Sequence, residues 1–142
     1  MSDSRINELV DRVAVQDAIN ELFLATDLKA WSRVKAIFAD TVHFDMTSLA
    51  GGEPATVTPD VIAGAWAEGL APVTAVHHQT GNFVIHVDGD TATASCYGTA
   101  THYKPDEAKR LTYFVGSYDF HLTRTGAGWK IDRFRFNKKY VE

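Results

Sequence analysis

Apolar residues at helical spacing open the chain. Ile6, Leu9, Val10 and Val13 recur at three- and four-residue intervals, and the pattern runs on through Ile19, Leu22 and Phe23. That period predicts one long amphipathic helix. A second helix is predicted after Asp27, with Trp31, Val34, Ile37 and Phe38 on one face. The period then changes to two, because Val42, Phe44 and Met46 alternate with His43, Asp45 and Thr47, and a short strand is expected. Gly51-Gly52-Glu53-Pro54 reads as loop. Thr58-Pro59-Asp60 supplies a cap followed by proline at the first helical position, which opens a short helix through Trp66.

The remainder reads as sheet. Residues 75–87 form a strand, Asp88-Gly89-Asp90 a hairpin turn, and residues 91–103 the returning strand. On that returning strand Ala92, Ala94, Cys96, Gly98, Ala100 and His102 share a face small enough for close approach of packed helices. A third long strand spans 111–124, and Gly126-Ala127-Gly128 turns into a last strand from Trp129. Two or three N-terminal helices followed by a meander of long strands predict an α+β domain. Long antiparallel strands twist, so the sheet is expected to curve around a hydrophobic pocket.

Composition narrows the function classes. The 142 residues show no linker, repeat or low-complexity segment, and one domain spanning 1–142 is expected. Apolar residues make up 45% and charged residues 23%, a globular balance. A formal charge of −4 argues against a nucleic-acid platform. Cys96 is the single cysteine, so no internal disulfide forms and a reducing, cytoplasmic setting is expected. No apolar stretch reaches membrane length, and the N-terminus lacks a signal-peptide core, so no membrane association is expected.

Asp27, His78 and His102 are the candidate chemistry. They fall on three predicted elements that can surround one cavity. A carboxylate that orients a histidine makes a proton-transfer catalyst near neutral pH. Asp27 can also serve as the N-cap of the second helix. Alternation sends His77 to the opposite face from His78. The same three residues match a two-histidine, one-carboxylate metal site, a metal-dependent alternative that lacks the usual short-range spacing.

The order of segments resembles the nuclear transport factor 2-like superfamily, in its SnoaL-like and scytalone-dehydratase-like branches. RVAVQDAINELFLATDLKAWSRVKAIFADTVHFD is similar to the family's helical opening, HHQTGN to its strand start, and VGSYDFHLTRTGAGWKI to its closing hairpin. The resemblance implies a cone-like fold, a deep hydrophobic pocket, and a homodimer or homotrimer. It implies cofactor-independent proton abstraction, as in a dehydratase-like lyase or an isomerase. His78 would be the base, Asp27 its partner and His102 an auxiliary acid or hydrogen-bond donor. The ligand class implied is a hydrophobic, cyclic or polyketide-like small molecule. Contacts to it are expected from Phe23, Met46, Trp66, Tyr113, Tyr118 and Arg124. Where the dehydratase has two tyrosines this chain has Thr26 and Met46, so that particular dehydration is not implied. The rival reading is a non-catalytic binding or oligomerisation module.

Overall fold

A computed structural model describes residues 3–142. Helix α1 (Asp3–Asp27) turns sharply into α2 (Trp31–Ile37), which leads into strand β1 (Phe38–Asp45). A single helical turn, α3 (Thr47–Ala50), a short strand β2 (Ala55–Val57) and helix α4 (Pro59–Leu70) follow. Four long strands complete the chain: β3 (Ala75–Asp88), β4 (Thr91–Tyr103), β5 (Leu111–Thr125) and β6 (Gly128–Val141). They form one open six-stranded sheet in the order β2-β1-β6-β5-β4-β3, antiparallel except where β1 runs parallel to β6. The expected α+β architecture is found. No helix among the described residues is long and apolar enough to cross a membrane.

Local chemistry explains most boundaries. The Thr58 hydroxyl accepts from the Val61 N–H, with proline at the start of α4, as the cap signal predicts. That helix runs a full turn beyond Trp66, to Leu70. Phe38 belongs to β1 rather than to the second helix. Asp45 Oδ1 accepts from both the Thr47 N–H and the Thr47 hydroxyl, at 3.0 and 2.6 Å, and so starts the α3 turn. Those two bonds hold the Asp45 carboxyl below its usual range.

The core lies between the helices and one face of the sheet. Ile19, Leu22, Val34, Val42, Leu122, Ile131 and Phe134 are all buried there. The start of α1 corrects the sequence expectation. Ile6, Leu9, Val10 and Val13 do not continue the core stripe; they are between 53% and 58% exposed. Periodicity establishes that residues share a face, not what that face meets.

Candidate active site

A cavity of about 280 Å³ opens between the inner face of the sheet and helices α1 and α4. Its walls are mainly apolar. Phe23 and Thr26 come from α1, Trp66 and Leu70 from α4, Met46 and Leu49 from around α3, and Phe114, Tyr118, Phe134 and Phe136 from β5 and β6. His78 and His102 also line it.

Asp27 is the last residue of α1, where the chain turns into α2. Capping the second helix is not its role, since the residue at that N-cap is Ala30 and no side chain caps it. Its carboxylate turns instead to β3. Oδ1 lies 2.6 Å from His78 Nδ1, and Oδ2 accepts from the His78 backbone N–H at 2.9 Å. Both side chains are mostly shielded, 18% exposed for Asp27 and 14% for His78. A carboxylate only accepts, so Nδ1–H donates to it, and in the neutral ring Nε2 is then the nitrogen with the free lone pair. The bond to the backbone fixes the carboxylate relative to the strand as well as to the ring. Phe23 stacks near the imidazole, with ring centroids 5.0 Å apart.

His102 enters from the neighbouring strand. Ala100 faces His78 across the β3–β4 ladder and Val76 faces His102, which makes the two imidazoles diagonal neighbours on the inner face. Phe114 packs on the His102 ring at 4.5 Å. Burial, reinforced by His78 and Lys104 and opposed by Asp27, holds the His102 pKa down to about 4. At neutral pH it is therefore an uncharged imidazole with one N–H to donate. Tyr118 is the remaining polar wall residue of note. Burial first, then Cys96 and Asp27, push its phenol above its ordinary range, so its hydroxyl stays protonated. Cys96 lies in the core, and burial followed by Asp119 raises its thiol to about 12, which leaves it unreactive.

Two residues expected at the ligand lie elsewhere. The bulges where β5 meets β6 insert their extra residues on β6, so β5 alternates without a break. Phe114 and Tyr118 face inward while Tyr113 is exposed. Arg124 is occupied at the far end of the sheet. It donates twice to Asp11, at 2.8 Å each, and once to Asp90 at 3.0 Å, and it covers the Trp129 ring. Asn82, four residues after His78, sits in a bulge of β3 with φ of 55°, a conformation asparagine tolerates. Among the described residues no group of three or more His, Cys, Asp or Glu side chains is arranged to hold a metal ion. The metal-dependent alternative therefore lacks an assembled donor set.

Sequence reasoning missed three contributors. Phe136 shares the period-two parity of Phe134 and was recoverable from it. Gly98 was legible only as part of the small face of its strand, and Lys29 left no signal. Gly98 gives the Tyr118 ring its space. Lys29 has φ of 54°, and its ammonium donates to the carbonyls of Leu70 and Val73 at 2.9 and 2.6 Å, tying down the end of α4.

An open curved sheet whose apolar cavity holds a carboxylate–imidazole pair defines an α+β pocket protein. The chain belongs to the SnoaL-like domain family, whose sequence pattern matches residues 7–135. An uncharacterized protein of Mycobacterium tuberculosis is 29% identical over 134 residues, covering 90% of this chain and 85% of that one. The Kfla4162 protein of Kribbella flavida superposes with a TM-score of 0.89 at 25% identity, over 94% of this chain and 93% of the other. A putative scytalone dehydratase of Novosphingobium aromaticivorans gives 0.85 at 17% identity, over 100% and 91%. A hexachlorocyclohexane dehydrochlorinase of type 2 gives 0.82 at 16% identity, over 97% and 91%. At those last two identities the likeness is one of fold.

Proposed function

We propose that the protein is a cofactor-independent lyase or isomerase that removes a proton from an uncharged, hydrophobic small molecule of cyclic or polyketide-like type. The observation that carries this reading is the Asp27–His78 hydrogen bond of 2.6 Å on the wall of an apolar cavity. His78 Nε2 takes the proton from an acidic C–H, and Asp27 holds the tautomer and stabilises the imidazolium that forms. The C–H electron pair becomes the new double bond. In an elimination the leaving group departs with its own pair; a departing hydroxyl takes the proton back from the imidazolium and leaves as water. In an isomerisation the same proton returns at another carbon. His102, uncharged at neutral pH, acts as an N–H donor to a substrate oxygen rather than as an imidazolium acid, and the Tyr118 hydroxyl offers a second donor. Two structural neighbours carry the names of elimination enzymes, which supports the class.

Among the described residues no lysine or arginine lines the cavity, which favours uncharged ligands over carboxylates or phosphates. The test is proton exchange in deuterated water, followed by NMR, with a panel of hydrophobic ketones, β-hydroxy ketones and alkyl halides. Wild-type protein should label or eliminate at least one of them without added metal or cofactor, and His78→Ala should bind the same compound without turnover. Ligand binding with no exchange across the panel would instead favour the carrier reading, and inactivation by a chelator the metal-dependent one.

A further inference from the structure

Strand β3 changes phase partway along. Its sheltered residues are even-numbered at first, Val76, His78 and Thr80, and odd-numbered afterwards, Phe83, Ile85 and Val87. Its partner β4 has no such break: from Ala92 through Cys96 and Ala100 to His102, every second residue turns inward. The ladder locates the extra residue. Gly81 pairs with Tyr97 and Val84 with Ser95, so Asn82 and Phe83 stand together against Cys96. Phe83 takes the inward place and packs on the core, whereas Asn82 is exposed, with φ of 55°. A bulge whose first residue is left-handed is ordinarily built on glycine, and asparagine is among the few other residues that tolerate that backbone.

Phase decides what faces Asp27. The later half of β3 is fixed by the hairpin, where Asp88 pairs with Thr91. If the strand ran regularly back from there, every residue before Phe83 would pair one place further along β4, and each side chain would change face. Gln79 would then stand opposite Ala100, His78 would point outward, and His77 would fall into the core position of Val76. With the bulge, His78 stands opposite Ala100 and meets Asp27 through both its ring and its backbone N–H.

We propose that Asn82 is a positioning residue for His78. Its left-handed backbone absorbs the one residue by which the two halves of β3 are out of phase, and so sets the imidazole rather than Gln79 against Asp27. The backbone carries this role, because the residue is exposed and is not part of the cavity wall. As a statement about catalysis the proposal rests on the proton-abstraction reading of His78; the geometry it asserts does not.

The Asp27–His78 bond can be read directly, from the low-field Nδ1–H proton resonance that His78→Gln removes. Asn82→Gly keeps the left-handed backbone and discards the side chain, so the resonance should persist. Asn82→Val, β-branched, disfavours that backbone and favours regular pairing; the resonance should vanish while circular dichroism still reports the fold. Deleting Asn82 should preserve it, because Gly81 and Phe83 then meet opposite Tyr97 and Cys96 with the alternation already in phase. If valine prevents folding, the glycine and deletion variants still decide. Loss of the resonance from folded Asn82→Gly would assign the effect to the side chain and overturn the proposal, and so would its loss from the folded deletion variant. Persistence in Asn82→Val with only a lower urea midpoint would also overturn it, since that marks a bulge that merely stabilises. With a substrate that wild type turns over, Asn82→Val should lower kcat by about 10²–10⁴-fold and Asn82→Gly should restore it. If wild type turns over nothing, the proton-abstraction reading fails, while the resonance still tests the positioning.

Discussion

A Cβ placed on Gly98 would lie 2.3 Å from Cε2 of Tyr118. The phenol ring rests directly on the backbone of β4, and only glycine lets it lie there. From that position it packs on Phe23 and Phe136, with ring centroids 4.9 and 5.0 Å apart, and forms part of the cavity wall. Gly98→Ala must therefore push an aromatic ring that is boxed in on several sides. We expect a loss of about 1–3 kcal/mol in urea unfolding, typical of overpacking, together with a smaller cavity. Gly64, inside α4 with nothing within 4 Å of its Cβ position, is the control. Gly64→Ala should stabilise by about 0.5–1 kcal/mol through helix propensity, and equal losses at both sites would refute the steric account.

Asp27 takes two N–H donors on its two oxygens, the ring Nδ1–H and the backbone N–H of His78. In Asp27→Asn only one of those oxygens remains. The amide NH₂ then faces a donor unless His78 moves its proton to Nε2, which removes the lone pair that would act as base. Turnover should fall by about 10²–10⁴-fold while the fold persists. Nitrogen NMR of the imidazole reads the cause directly. Wild type should show Nδ1 protonated and the variant Nε2 protonated, and an unchanged tautomer alongside lost activity would break the link.

The pair was legible because its chemistry is recognisable even across 51 residues of chain, and because helix end and strand start are marked by local signals. The hairpins were legible for the same reason, since Asp88-Gly89-Asp90 and Gly126-Ala127-Gly128 announce their turns. What stayed hidden was relational. Nothing near Val42 or Phe134 in sequence says that β1 lies parallel to β6. The periodicity of Ile6, Leu9, Val10 and Val13 is real, yet it cannot tell a core face from a solvent face. Tyr113 and Tyr118 differ by parity alone, and knowing that the extra residues sit on β6 rather than β5 requires the partner strand.

The low pKa of His102 makes a sign-definite prediction for stability. Folding holds the ring at about 4, below its ordinary value of 6.5, so the unfolded chain binds the proton more readily between those values. Stability must then fall as pH drops from about 6.5 to about 4, and this contribution levels off below. His102→Phe removes the titrating group while keeping a ring against Phe114. Urea midpoints measured across that window should slope less steeply for the variant than for wild type. Parallel slopes would mean that His102 titrates normally and that its burial has been overstated.

Lys29 offers the sharpest test of how the cavity keeps its shape. Its ammonium donates to the carbonyls of Leu70, the last residue of α4, and of Val73, three residues beyond it, where a cation is favoured by the helix dipole. Leu70 is also a wall residue of the cavity, so the lysine joins the corner that carries Asp27 to the helix that closes over His78. Lys29→Met keeps the aliphatic stem and takes a donor from both carbonyls, leaving the Leu70 oxygen with only the Val73 N–H, at a cost of about 1–3 kcal/mol. Because those carbonyls lie at and just past the end of one helix, the loss should stay local. Amide hydrogen exchange should quicken in the last turn of α4 and through Val73 while β4 and β5 keep their protection, and affinity for any cavity ligand should fall with it. Exchange that rises uniformly would mark Lys29 as a general stabiliser, and exchange that does not rise at all would show that α4 needs no tether.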